Sequence, residues 1–219
     1  PHRPWLDALP EVLDRAFLIT DPSVIGVIDD PARQARRSLR WERGNLLLVG
    51  AIGSGTTSTA IVLASTRLHG NDDVHLYVID GRGDPALDAF VDVAACGGVI
   101  RLTEVERIDR LLRRLTDELD RRGVAGGRGP EIVLVVDGLE SLRSALSTVD
   151  RSEAAARFDR VMQEGPALGI VTCATTDGSS PAVLATTTGG RWILHCDAAI
   201  ARAAGLRSAP PPAIPGRLC

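Results

Sequence analysis

Apolar positions along the chain follow two rhythms that alternate from about residue 45 onward. Continuous apolar runs of strand length occupy 46–49, 74–79, 98–102, 132–136, 169–174 and 191–195. Between them, apolar residues recur at helical spacing and predict helices over about 58–68, 104–122, 153–164 and 181–185. Strands that are apolar throughout are buried on both faces, and strands that alternate with helices form parallel sheets. The pattern therefore predicts an α/β fold: a mostly parallel sheet with helices on both faces.

The most regular helical segment is 104–122. Its apolar face comprises Val105, Ile108, Leu111, Leu112, Leu115 and Leu119. Thr103 and Glu106 have the spacing of a capping box, which predicts the start of this helix. Gly123 and the glycine-rich segment 125–130 predict its end.

Prolines delimit both ends of the chain. Residues 1–44 combine prolines with apolar residues such as Trp5 and Leu6, so we expect a linker strap and entry segment that lie against a neighbouring surface. Within it, 24–28 predicts a short strand and 29–40 an arginine-rich turn. Residues 45–208 predict the folded core, and 209–219 a proline-rich exit linker.

Composition excludes several classes of protein. The net charge is −3, which gives no global basic field for nucleic acid. No apolar run approaches the roughly 20 residues of a transmembrane helix. The four cysteines include no close pair, which argues against a zinc site and favours reduced thiols. The chain begins with Pro1 and its one methionine is Met162, so we expect a fragment of a larger protein.

A glycine-rich loop between the first core strand and the first core helix is the strongest chemical signal. The segment 50–57 matches G-x-x-x-x-G-K-[ST] at both glycines and at the final hydroxyl, Thr57. Backbone N–H groups of such a loop and the helix N-terminus bind phosphate without needing side chains. The sequence therefore predicts a site for ATP with Mg²⁺, formed by Gly50, Gly53, Ser54, Gly55, Thr56, Thr57 and Ser58.

The lysine of the motif is replaced by Thr56, and the chain contains no lysine at all. A charged donor is worth roughly 1.5–3 kcal/mol and a neutral one roughly 0.5–1.5. The replacement therefore weakens nucleotide binding on the order of tenfold. Hydrolysis should lose more, because negative charge develops further in the transition state. We expect weak or vestigial ATP binding and little turnover.

A carboxylate at the end of a buried strand supplies the second signal. Asp137 follows the apolar run 132–136, about eighty residues after the loop. In P-loop NTPases such a carboxylate and the loop hydroxyl hold Mg²⁺, which predicts a metal site of Thr57 and Asp137. Asp137 and Glu140 are also the possible catalytic carboxylates, although Glu140 lies two residues beyond the position that follows the strand, Gly138.

Other polar residues carry weaker signals. Arg82, Arg101 and Arg191 are the arginines that could supply the missing positive charge, and the sequence does not choose between them. Thr172, Thr175 and Thr176 could contact a γ-phosphate, although satisfied strand-end hydroxyls are the commoner arrangement. We expect His75 and His195 to be core or edge residues, and Asp72 and Asp73 to be solvated loop charges.

The order and spacing of these motifs resemble an ATPase module of the FtsK/SpoIIIE type, a RecA/FtsK-like P-loop NTPase. The likeness is strongest to the tandem modules of EccC, the motor of actinobacterial type VII (ESX) secretion. It rests on the loop 50–57 and on Trp5-Leu6 with Leu9-Pro10, 27–34, 76–83, Cys96-Gly97-Gly98-Val99, 134–138 and Pro215-Gly216-Arg217. Thr56 departs from the pattern. Hydrolytic members often carry a glutamate at the position of Gly138.

The resemblance implies a second or third module with a degenerate loop and a role in regulation and substrate recognition. Implied partners are neighbouring ATPase modules of the same chain and the C-terminal signal of small helical secreted substrates. The implied location is the cytoplasmic side of the cell membrane, reached only through the parent protein. Three alternatives stay open: an active ATP-hydrolysing translocase domain that uses an arginine in place of the lysine, a peptide adaptor independent of nucleotide, and a DNA translocase, which the net charge disfavours.

Overall fold

The structure is a computed structural model that describes residues 9–10, 21, 23–30, 33–69, 71–126, 129–187, 189–214 and 217–219. Several residues named above lie outside these ranges, among them Trp5 and Leu6 of the strap and Pro215 and Gly216 of the tail. Within the described ranges, none of the helices is long and apolar enough to cross a bilayer.

A six-stranded sheet forms the centre of the fold. In chain order its strands are β3 (Leu46–Val49), β4 (Val74–Asp80), β5 (Cys96–Arg101), β6 (Glu131–Asp137), β7 (Ile170–Thr176) and β8 (Gly190–Ile193). Every neighbouring pair is parallel, in the spatial order β5-β4-β6-β7-β3-β8. The predicted parallel sheet is confirmed, and the carboxyl ends of β3, β6 and β7 lie side by side at one edge.

Six helices accompany the sheet in the described ranges. They are α1 (Thr56–Leu68), α2 (Val105–Ala125), α3 (Leu139–Leu146), α4 (Ser152–Glu164), α5 (Pro181–Thr186) and α6 (Ala198–Ala203), with a 3-10 turn at Pro85–Phe90. The sequence predicted α1, α2, α4 and α5 and missed α3 and α6. The capping box was wrong: α2 begins after Glu104, whose Oε2 instead accepts a hydrogen bond from the Arg101 backbone, 2.9 Å. The helix also passes Gly123 and ends at Gly126, whose φ is 58°.

Alternate side chains of the strands enter two separate apolar cores, one on each face of the sheet. Leu47 and Val136 pack with the buried faces of α2 to α6, whereas Leu48 and Val135 pack with α1 and the 3-10 turn. Because successive strand side chains point to opposite faces, a strand apolar throughout fills both cores. The sheet is therefore covered on both faces, as the apolar runs predict.

A small hairpin stands outside the main sheet. β1 (Gly26–Asp30) pairs antiparallel with β2 (Ala35–Leu39), with Gly26 opposite Leu39 and Asp30 opposite Ala35. The prediction of an arginine-rich turn over 29–40 was wrong, because Arg36 and Arg37 belong to a strand. The charged side chains of β2 are exposed, so this strand lacks the apolar alternation that marks a buried one.

The described part of the tail lies along the edge of the main sheet. Cys219 and Ile193 of β8 exchange two backbone hydrogen bonds of 2.8 Å each. The backbone oxygen of Pro211 lies 2.9 Å from His195 Nδ1, and Leu218 packs against the α1-side core. The division into a strap, core and exit linker stays a prediction.

Candidate nucleotide site

The glycine loop is held between the ends of its two neighbouring strands. Gly50 donates its backbone N–H to Thr176 O at 3.0 Å, and Ala51 donates to His195 O at 2.8 Å. Gly53 and Gly55 have φ values of 82° and 95°, a region that glycine adopts without strain. The first turn of α1 has neither a capping side chain nor an acidic residue, so its N–H groups remain suited to an anion.

Thr56, at the lysine position, is packed inside the loop. Its side chain is 3% exposed, and a Cβ on Gly50 would lie 3.1 Å from Thr56 Cγ2 and clash with Ser54 Oγ. Position 50 therefore requires glycine, because the two side chains fill the space beneath it. Ser54 Oγ is itself buried without a hydrogen-bond partner. A short buried threonine carries no positive charge toward a phosphate chain.

The two residues predicted to hold Mg²⁺, Thr57 and Asp137, contact each other. Thr57 Oγ1 donates to Asp137 Oδ1 at 3.0 Å, and Thr175 Oγ1 donates to the same oxygen at 2.7 Å. Thr175 Oγ1 also accepts the backbone N–H of Gly138 at 2.9 Å, which fixes the threonine between β6 and β7. The two side chains predicted for the metal are thus in direct contact with each other.

The hydrogen bonding of Asp137 indicates whether these residues fit a metal ion. Asp137 is fully buried, yet its Oδ2 has no hydrogen-bond partner. An unpaired buried carboxylate oxygen is costly unless a cation or ordered water completes it. Among the described residues no group of three His, Cys, Asp or Glu side chains could hold a metal alone. Mg²⁺ typically takes one or two protein ligands and completes its shell with phosphate and water, so Thr57 and Asp137 fit it.

Glu140 reaches farther toward the loop than the sequence suggested. Its Oε1 accepts a hydrogen bond from Thr176 Oγ1, which also accepts the Gly178 N–H at 2.9 Å. The carbonyl of Thr176 accepts the backbone N–H of Gly50, so the Glu140 carboxylate lies beside the phosphate loop. Gly138 itself could not carry the glutamate found in hydrolytic members: its φ is 81°, and a Cβ there would lie 2.9 Å from Arg82 Cγ.

Asp177 is a second acid in this cluster that the sequence analysis did not single out. Hydrogen bonds from Ser179 lower its pKa most, and the charge of Arg82 lowers it further against the opposing effect of burial. Asp177 therefore stays ionised at neutral pH and contacts Glu140. Its position directly after β7, next to Thr175 and Thr176, is the sequence feature that could have identified it.

The structure separates the three candidate arginines. Arg101 of β5 forms ion pairs with Asp80 and Asp88, and three strands separate β5 from β3, the strand that leads into the loop. Arg191 donates to the carbonyls of Leu184, Thr187 and Ala204. Arg82 is half-buried over Gly138 and has no ion pair within 4.0 Å among the described residues. Arg82 is therefore the candidate that the fold brings to the site.

The remaining candidates fall outside the site. Thr172 is not at a strand end: it lies inside β7 opposite Leu134, fully buried, with Oγ1 unpartnered. His75 is exposed at the start of β4, and His195 follows β8 and contacts the tail. Asp72 and Asp73 are exposed in a turn, as expected for solvated charges.

Solved structures with this fold include one of EssC and two of EccC, a type VII secretion ATPase. EssC from Geobacillus thermodenitrificans (ATPases 2 and 3) is 20% identical with a TM-score of 0.70, covering 100% of this chain and 45% of that one. The cytoplasmic domain of EccC from Thermomonospora curvata is 18% identical with a TM-score of 0.62, covering 90% and 26%. The ATPases 2 and 3 of the same EccC, in complex with a signal sequence peptide, are 18% identical with a TM-score of 0.63, covering 90% and 40%.

These likenesses establish the P-loop fold, and the chain spans less than half of each protein. No curated protein matches the sequence significantly. The sequence profile of the FtsK/SpoIIIE family matches residues 18–172, which include the glycine loop and Asp137. With the loop, the strand-end carboxylate and the parallel sheet in place, the chain belongs to the FtsK/SpoIIIE family.

Proposed function

We propose that this chain is a degenerate ATPase module that binds ATP with Mg²⁺ weakly, hydrolyses it little, and serves regulation and substrate recognition in a type VII secretion motor. One observation carries the proposal: Thr57 and Asp137, the residues that would hold Mg²⁺, are hydrogen-bonded to each other, while the lysine position holds the buried Thr56. Thr57, Asp137 and the loop N–H groups would hold the metal and phosphates. Bound Mg²⁺ would neutralise phosphate charge and orient the phosphate chain.

The proposed partners follow from the similar proteins. Both EssC and EccC are described with ATPases 2 and 3 together, which supports neighbouring ATPase modules as partners of this one. The EccC structure with a signal sequence peptide supports recognition of the C-terminal signal of a secreted substrate. The EccC structure described as a cytoplasmic domain supports a cytoplasmic location for this module. The parent protein would hold the module at the membrane. Nucleic acid is not proposed as a partner, because the net charge is −3.

Titration of ATP·Mg²⁺ into three forms of the chain tests the proposal. The wild type, Thr56→Lys and Thr56→Met are compared by calorimetry, and Met is the matched control because it is unbranched and of similar length but uncharged. We expect Lys to tighten binding about tenfold, since a charged donor replaces a neutral one, and Met to give no gain. Equal affinity in all three forms, or robust Mg²⁺-dependent turnover by the wild type that Asp137→Ala abolishes, would contradict the proposal.

An active ATPase is the second candidate function, and Arg82 favours it. The guanidinium has no ion pair among the described residues and lies next to Gly138, close enough to Asp177 to lower its pKa. Glu140 supplies a carboxylate at the loop. Turnover that Arg82→Ala abolishes and Arg191→Ala retains would establish this alternative, because Arg191 is fully engaged by carbonyl groups.

A further inference from the structure

The metal residues identify the end of the site that would hold a terminal phosphate. In P-loop proteins Mg²⁺ bridges the β- and γ-phosphates, whereas the loop N–H groups hold the α- and β-phosphates. Thr57 and Asp137 are in contact where α1 begins and β6 ends, and the buried Asp137 Oδ2 has no hydrogen-bond partner. A γ-phosphate would therefore lie toward the carboxyl ends of β6 and β7, and a diphosphate would not reach that position.

Two acidic side chains, Glu140 and Asp177, lie at this end of the site, and we call them the acidic pair. Glu140 Oε1 accepts a hydrogen bond from Thr176 Oγ1, and the carbonyl of Thr176 accepts the first N–H of the glycine loop at 3.0 Å. Asp177 follows Thr176 and contacts Glu140. Hydrogen bonds from Ser179 lower the pKa of Asp177, so this carboxylate is ionised at neutral pH. The acidic pair therefore carries at least one negative charge beside the loop.

Little positive charge opposes these carboxylates. The motif lysine, which would reach the β- and γ-phosphates, is replaced by the neutral Thr56, and the chain contains no other lysine. Arg82 lies across Gly138, where an added Cβ would be 2.9 Å from Arg82 Cγ, and its charge adds to the lowering of the Asp177 pKa. Among the described residues, one guanidinium thus opposes both Asp137 and the acidic pair. The terminal-phosphate end keeps a net negative charge.

We propose that this site binds a nucleoside diphosphate with Mg²⁺ in preference to a triphosphate, and that the acidic pair sets this preference. A diphosphate keeps its contacts with the loop N–H groups and the metal residues, whereas a γ-phosphate adds negative charge next to like charge. Repulsion in a partly buried site is screened less than repulsion at an exposed surface. The inference rests on the proposed function, since it needs a nucleotide at the glycine loop, and it names the nucleotide that the weak site prefers.

Calorimetric titration of ADP·Mg²⁺ and ATP·Mg²⁺ into the wild-type chain tests the preference directly. We expect ADP to bind about tenfold more tightly than ATP, which corresponds to one unbalanced charge contact. Equal affinity for the two nucleotides, or tighter binding of ATP, would overturn the inference. Tighter binding of ATP that Arg82→Ala removes would show that Arg82 contacts the terminal phosphate and outweighs the acidic pair.

A double variant that keeps shape and removes charge tests the acidic pair. Glu140→Gln with Asp177→Asn retains acceptor oxygens for the Thr176 hydroxyl and for the Ser179 N–H, which Asp177 Oδ1 accepts at 2.8 Å. We expect the double variant to bind ATP about three- to tenfold more tightly than the wild type and to change ADP binding by less than about twofold. Equal gains for both nucleotides would mean that the acidic pair does not distinguish them, and the inference would fail.

The matched control removes two carboxylates from the opposite edge of the sheet. Asp72 and Asp73 are exposed and precede β4, so the seven residues of this strand separate them from the carboxyl edge by about 20 Å. Asp72→Asn with Asp73→Asn should change neither affinity by more than about twofold, because screening suppresses the interaction between charges at that distance. A gain in ATP binding as large as that of the acidic-pair variant would assign the effect to overall charge and contradict the inference.

The same titrations into Thr56→Lys separate the failure of this inference from that of the proposed function. The lysine should raise the affinity for ATP more than the affinity for ADP, because it reaches the terminal phosphate. If both nucleotides bind the wild type weakly and equally, the inference fails while the proposed function stands. If neither nucleotide binds the wild type or Thr56→Lys, both fail. The wild-type ratio of affinities needs no substitution, so it decides the inference even where a variant is less stable.

Discussion

At the scale of single residues, two adjacent threonines have opposite environments. Thr56 is buried with its Cγ2 close to Gly50, whereas Thr57 donates its hydroxyl hydrogen to Asp137. The sequence predicted both assignments from the motif. It could not predict that Asp137 Oδ2 would lie buried and unpaired, because that depends on how β6, β7 and the loop pack together. The unpaired oxygen is the strongest structural argument for a cation at this site.

Two buried threonines of β7 allow a matched prediction. Thr175 Oγ1 bonds both Asp137 and Gly138, whereas Thr172 Oγ1 has no partner, and both residues are fully buried. Valine preserves the shape of threonine and removes the hydroxyl. We expect Thr175→Val to lower the free energy of unfolding by about 1–3 kcal/mol, because a buried donor and a buried carboxylate each lose a bond. Thr172→Val should be neutral or stabilising.

Urea denaturation of the two variants beside the wild type measures this difference. The reverse order, with Thr172→Val the more destabilising, would mean that Thr172 has a partner such as an ordered water. Thr175→Val should in addition weaken ATP binding more in the presence of Mg²⁺ than in its absence, since Thr175 positions the carboxylate assigned to the metal.

At the scale of elements, α2 is anchored by an arginine that the apolar pattern ignored. Arg122 is 1% exposed; it donates to Glu118 on the same helix and to the carbonyls of Leu168 and Pro130. These bonds connect the end of α2 with the segments that enter β6 and β7. A buried guanidinium needs such partners, because leaving one unpaired costs more than the pair contributes.

Glu118→Gln is expected to destabilise the protein in a pH-dependent way. Hydrogen bonds from Arg121 and Arg122 lower the pKa of Glu118 from 4.5 to about 2. Because the folded-state pKa is the lower one, its contribution is complete above about pH 4.5 and is lost as pH falls toward 2. We expect a loss of about 1.5–3 kcal/mol at pH 7, the usual value of a charge-assisted hydrogen bond, and this loss should shrink toward zero near pH 2.

Urea unfolding at several pH values follows this loss, with Glu153→Gln as the control. Glu153 also pairs with an arginine four residues away, Arg157, but its side chain is 82% exposed, so its substitution should cost about 0–1 kcal/mol. A loss for Glu118→Gln that did not depend on pH would indicate a packing effect instead of a charge effect.

The elements that the sequence missed share a physical reason. All six strands of the main sheet were predicted. The four interior strands β3, β4, β6 and β7 are mostly buried and therefore mostly apolar, whereas the edge strands β5 and β8 each have one buried residue and were found from shorter apolar segments. β2 has the sequence Ala-Arg-Arg-Ser-Leu, and its three central residues are exposed. It is a strand because it pairs with β1, and its own composition does not predict one. α3 does carry Leu139, Leu142 and Leu146 at helical spacing, but the segment is eight residues long and short amphipathic runs are ambiguous.

At the scale of the whole molecule, the described residues Leu9 and Pro10 contact the C-terminal tail on the α1 side of the sheet. Arg217 of the tail donates to Leu9 O at 3.1 Å, and Ile214 and Leu218 line a cavity beside the hairpin. The sequence predicted a proline-rich segment without regular structure, but proline content alone does not say whether such a segment leaves the surface or packs on it. The tail packs on the sheet because the outer edge of β8 has backbone N–H groups that need hydrogen-bond partners.

A chain that ends at Ser208 is therefore expected to lose protection at a single strand edge. The Ile193 N–H donates to Cys219 O, whereas the next amide, Leu194, donates to Val49 O across the sheet. Without the tail, hydrogen exchange at Ile193 should become fast while Leu194 stays protected, so the two amides form an internal control. The free energy of unfolding should fall by about 1–3 kcal/mol from the two backbone bonds, and by a further amount because Leu218 no longer packs against the α1-side core. Equal protection of Ile193 in both chains would show that the tail contributes nothing to the sheet, whereas loss at both amides would show that β8 itself depends on the tail.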